Sequence, residues 1–76
     1  MSEKRIRVNT SSSSSPHGYK LISGVNTYGI YYLRSVGIFS DDWDRIGEAK
    51  NVEDALVIIH IHASRFGIVR DIEFRD

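Results

Sequence analysis

Residues 47–76 read GEAKNVEDALVIIHIHASRFGIVRDIEFRD, and how this stretch is read decides the fold. Asn51 can cap a helix, because its side-chain oxygen can accept from free N–H groups two or three residues on. Asp54 stands three residues later, a capping box with a shorter acid. Glu53 and Asp54 set negative charge against the positive end of the helix dipole. Val52, Ala55, Leu56, Ile59, Ala63 and Phe66 then recur at helical spacing and form one apolar face. Gly67 follows as a stop signal, with Arg65 in the last turn. The competing reading is a strand, because residues 57–62 (VIIHIH) are rich in β-branched types. Cap, stripe and stop signal agree with one another, whereas a strand accounts only for the middle.

The helix assignment limits the histidines. His60 and His62 stand roughly 200° apart on a helix and cannot share a metal. The chain has no Cys, and His17 lies far off in sequence. No metal and no cofactor are expected. Val57, Ile58 and Ile61 fall away from the core stripe. A helix that is apolar on two sides is normally covered by something, so these three are the candidates for self-association.

Working outward, residues 43–49 (WDRIGEA) suit a strand before the helix, and residues 68–75 (IVRDIEFR) suit a closing strand. In the latter, Ile68, Ile72 and Phe74 are assigned to the core. Upstream, residues 19–25 and 28–36 form a hairpin about Asn26-Thr27. Tyr28, Ile30, Tyr32, Arg34 and Val36 share one face of its return strand, and Tyr31 and Leu33 share the other. The predicted architecture is α+β: a small antiparallel sheet of three to four strands, one helix across one face, in the order β-β-(β)-α-β. Residues 1–18 hold a run of five serines after KRIRV and read as a disordered basic, Ser-rich arm, in which Ile6 and Val8 alternate with Arg5 and Arg7 and could add an edge strand on binding. The folded domain is then residues 19–76.

The formal charge is zero: ten Lys and Arg balance ten Asp and Glu. It is unevenly placed. Lys4, Arg5, Arg7, Lys20 and Arg34 face only Glu3 in residues 1–34, a balance of +4. Residues 41–54 set Asp41, Asp42, Asp44, Glu48, Glu53 and Asp54 against Arg45 and Lys50, a balance of −4. The absence of Cys fits a reducing cytoplasm, and no apolar run reaches membrane-spanning length. No Cys nucleophile, glycine-rich phosphate loop or nucleophile elbow is present, so no enzymatic activity is expected. Two binding modes follow from the charge. In one, Asp41, Asp42, Trp43 and Asp44, with Tyr31, meet a basic protein surface around an aromatic anchor. In the other, Arg5, Arg7, Lys20 and Arg34 bind nucleic acid, with the tyrosines stacking bases.

The segment from Gly47 to Leu56, followed by Phe66 to Ile72, resembles the strand–helix–strand half of small phage-encoded inhibitor proteins. These include the T7-type RNA polymerase inhibitor and some anti-CRISPR proteins. The resemblance covers about 28 residues and implies no catalysis. It implies a protein that occludes a surface of a larger protein or nucleoprotein complex. The order of strands and helix is also similar to the three-strand-plus-helix DNA-binding domains of integrases, which read DNA with the sheet face. Here that face offers Arg34, Arg45 and Lys20 with acids between them.

Overall fold

The computed structural model describes residues 3–12 and 14–75. Five strands form one antiparallel sheet: β1 (Glu3–Thr10), β2 (His17–Ser23), β3 (Tyr28–Ser35), β4 (Asp42–Ala49) and β5 (Val69–Arg75). Helix α1 (Val52–Ala63) and a short 3-10 turn (Ser64–Phe66) link β4 to β5. The sheet order is β4-β3-β2-β1-β5, so the helical connection carries the chain from one edge to the other across one face.

The α+β class and the single helix agree with the sequence reading. The strand count and order do not. The stretch expected to be a disordered arm contains β1, which lies between β2 and β5. Ile6, Val8 and Thr10 alternate with Arg5, Arg7 and Asn9, and the first three are buried. Period-two alternation is a strand signal; the sequence reading gave it only an edge strand formed on binding, whereas β1 is an interior strand of the sheet. The serines themselves are partly engaged. The Ser11 N–H donates to the Ile68 carbonyl at 2.8 Å, and Ser11 Oγ accepts from the Ile68 N–H at 3.0 Å. Ser12 Oγ donates to the Phe66 carbonyl. The β1–β2 connection therefore ties down the end of the helical segment. Residues 1, 2 and 13, also part of the expected arm, lie outside the described residues.

The helix forms where its caps predict. Asn51 is extended, and its Oδ1 accepts from the Asp54 N–H at 2.8 Å. Asn51→Ala is expected to remove about 1 kcal/mol of stability, read as a lower urea midpoint with an unchanged slope. Ala55, Ile59 and Ala63, one turn apart, are fully buried against the sheet. Two alanines in that row let the helix sit close. Ile6, Val8, Tyr19, Leu21, Ile30 and Ala49 supply the opposing layer. At the far end Gly67 takes φ of 135°, a region that L side chains rarely adopt.

Two further expectations change. Ile58 is not free for self-association: it is half-buried against the core, and its side chain lies over Gly47 of β4. Ile68 and Phe74 are not core residues either, being 76% and 51% exposed. Val69 takes the inward place, because a register shift at Asn9/Thr10 pairs Thr10 with Val69.

Candidate functional site

With the helix on one face, the other face of the sheet is uncovered. Its side chains follow from the strand registers. Tyr31 stands opposite Arg45 on β4 and Lys20 on β2. Lys20 stands opposite Arg5, and Arg5 opposite Arg75. One row therefore crosses all five strands as Arg45, Tyr31, Lys20, Arg5 and Arg75. Four of these five are cations. The adjacent row carries Trp43 opposite Leu33, then Gly18 opposite Arg7, with Glu73 beyond.

Like charges directly opposite on neighbouring strands are destabilising, so this row costs the fold something. Aromatic rings and two acids compensate in part, Arg45 Nη2 donating to Glu48 at 3.0 Å. The Lys20 ammonium lies 4.2 Å from the Trp43 ring centre and 5.6 Å from that of Tyr31. The Arg5 guanidinium lies 5.2 Å from Trp43. Such contacts contribute about 0.5–1 kcal/mol each at exposed sites. Glu3 accepts from Arg5 Nε at 2.9 Å and sits 3.8 Å from Lys20. The hydrogen bond from Arg5 is the main cause of a Glu3 carboxyl held below its ordinary range.

Arg7 and Arg75 have no ion-pair partner among the described residues. The nearby acids of β5 are held elsewhere, since Asn9 Nδ2 donates to both Asp71 and Glu73. Arg5, Arg7, Arg75 and Trp43 line a hollow of about 300 Å³ over Gly18 and Leu33. Gly18 leaves room there, since a methyl group on it would lie 3.2 Å from Leu33.

The structure splits the acidic cluster. Trp43 and Tyr31 lie on the open face, but Asp44 stands opposite Tyr32 and faces the helix side. Arg34 holds Asp42 at 3.7 Å and Asp44 at 3.4 Å. Strand alternation sends neighbours to opposite faces, so the aromatic anchor is surrounded by cations, not by its sequence-adjacent acids. Asp41 is exposed in the β3–β4 loop, near Ile38 and Phe39, which are almost fully exposed. The nucleic-acid set divides too: Arg5, Arg7 and Lys20 share the open face, and Arg34 does not. Arg45, which the integrase resemblance offered, and Arg75, which the sequence reading missed, complete the row; only the register reveals which strand residues stand side by side.

The covered face holds an aromatic cluster of Tyr19, Tyr32, His62, Phe66 and His17. Tyr19 Oη and His62 Nδ1 are hydrogen-bonded at 2.8 Å. Burial raises the Tyr19 pKa, and burial, then the Arg65 charge, lowers that of His62. A depressed histidine pKa means that the unfolded chain takes up the proton first. The His62 contribution is therefore complete above its ordinary pKa of 6.5 and is lost as pH falls below it. Urea midpoints should drop from neutral pH toward pH about 5. His62→Phe should flatten that drop, and an equally steep profile in the variant would contradict the assignment.

Among the described residues, no group of three His, Cys, Asp or Glu is placed to hold a metal, and no helix is long and apolar enough to cross a membrane. In comparisons with protein-family models, curated proteins and solved structures, nothing matches this chain.

Proposed function

We propose that this chain is a non-catalytic protein-binding module that uses its open sheet face to grip, and so occlude, an acidic surface of a larger protein. The observation that carries this reading is the cross-sheet row of Arg45, Tyr31, Lys20, Arg5 and Arg75 beside Trp43. Trp, Tyr and Arg are the residue types enriched at binding hot spots. A row of cations that strains the free fold is relieved by a carboxylate-rich partner. Relative to the sequence reading, the anchor is kept and the expected sign of the partner is reversed.

The other reading, single-stranded nucleic acid, draws on the same aromatic and cationic side chains. Two features weigh against it. Glu3, Glu48, Asp71 and Glu73 border the five cations Arg5, Arg7, Lys20, Arg45 and Arg75, so the face is a basic island, not a continuous track. The Trp43 ring is also already approached by Lys20 and Arg5, which leaves less of it for a base.

Capture from host lysate, with and without nuclease, tests the choice. A protein retained after nuclease, released by salt and depleted by a poly-glutamate competitor, is the expected result. Loss of every protein on nuclease treatment, with titratable binding to single-stranded DNA or RNA at low salt, would overturn it.

A further inference from the structure

Strand β5 is an edge of the sheet, and its outer side has no strand beside it among the described residues. The other edge, β4, is broken by register shifts at Ile30/Tyr31 and Leu33/Ser35. Such irregularities blunt an edge against pairing. Strand β5 keeps unbroken register with β1 from Arg75 to Asp71, and contains neither Gly nor Pro. Beside it, Leu56, Val57, His60, Ile61 and Ile72 line a hollow of about 350 Å³ between helix and strand. Val57 and Ile61 of this lining are each more than half exposed, as is Phe74 two residues beyond Ile72 on β5.

We propose that a second copy of this chain pairs antiparallel along β5, about a two-fold axis through Glu73, to make one continuous ten-stranded sheet. The choice of a second copy rests on the strand's self-complementarity. With Glu73 on the axis, Ile72 of each copy stands opposite Phe74 of the other on the helix face. Asp71 stands opposite Arg75 on the open face, also twice. Phe74 of the second copy then reaches Ile72 at the mouth of the apolar hollow. Centring the pair on Ile72 instead sets Asp71 against Glu73 twice and exposed Arg70 against Phe74, so the registers are not equivalent. The one like-charge contact, Glu73 with Glu73, falls beside Arg7, which stands opposite Glu73 on β1 in each copy, and beside Asn9, which donates to it. A domain of 76 residues buries a smaller share of its surface than a larger domain does, and this pairing adds to it. It also sets two open faces side by side, giving a bivalent surface for a repeated acidic partner.

Light scattering coupled to size exclusion, and sedimentation over a range of concentrations, test the pairing. The native chain should show a mass twice 8.7 kDa at the high end. Asp71→Arg alone and Arg75→Asp alone each create two like-charge contacts and should weaken the dimer about tenfold or more. The double swap should restore it. Both side chains are exposed, and circular dichroism checks that the variants fold. If Asp71→Arg loses the Asn9 contact and unfolds, Arg75→Asp reads the same pair. A native chain that stays monomeric throughout, a dimer indifferent to either swap, or a double swap that restores nothing would each overturn the proposal. None of these results depends on which partner the open face binds.

Discussion

A chain that begins at Ser11 is expected not to fold. The truncation removes β1, which is bonded to β2 on one side and β5 on the other. Ile6 and Val8 are 2% and 0% exposed, and burying such side chains is worth about 1.5–3 kcal/mol each. Strand β5 loses the strand it pairs with, and Tyr19 and Leu21 lose cover on one flank. A domain of this length has roughly 4–11 kcal/mol of stability in all, so the loss consumes it. Far-UV circular dichroism and urea titration check this: the truncated chain should show no cooperative transition. Ile6→Ala in the full chain should cost about 2–5 kcal/mol. A truncated chain with a native-like transition would return residues 3–10 to the status of an arm.

Trp43→Ala is expected to weaken partner binding by about thirtyfold or more, while leaving the domain folded. A central aromatic truncation at an interface commonly costs 2 kcal/mol or above, and about 1.4 kcal/mol is a factor of ten. Trp43 lies on the open face, outside the buried core, so its removal leaves the packing between helix and sheet intact. Lys20 and Arg5 both lean on its ring, and their placement is lost with it. Arg7→Ala and Arg75→Ala should act differently, slowing association and reducing the salt dependence with a smaller loss in affinity. Titration calorimetry against the captured partner, in low and raised salt, separates the two effects. A triple Asp41→Ala, Asp42→Ala, Asp44→Ala variant should bind about as well as the native chain. If that variant loses binding while Trp43→Ala keeps it, the contact is made by the acidic loop and the open-face proposal fails.

Much of the architecture was legible before any coordinates. Asn51, the Ala55-Ile59-Ala63 row and Gly67 specify a helix, because capping and 3.6-residue periodicity are local properties of the chain. The hairpin of β2 and β3, and which residues of β3 share a face, follow from alternation and turn chemistry, equally local. The fate of residues 3–10 was hidden for a compositional reason. Two arginines and a serine run outweighed the alternation of Ile6, Val8 and Thr10, although the alternation alone was enough to specify a strand.

The candidate site lies beyond that limit. Trp43 sits in sequence between Asp42 and Asp44, and the sequence reading joined them in one acidic patch. The pleat separates them, and pairing brings Trp43 to Lys20 and Arg5, 23 and 38 positions away. The chain by itself determined its helix, its turns and the faces of β3, because those depend on residues a few places apart, whereas the inward place of Val69 on β5 came from its pairing with β1. Which strands became neighbours was decided only in the tertiary structure. Strand order and register depend on how the whole apolar layer closes over the helix, and that order gathers the cations of four strands into one row.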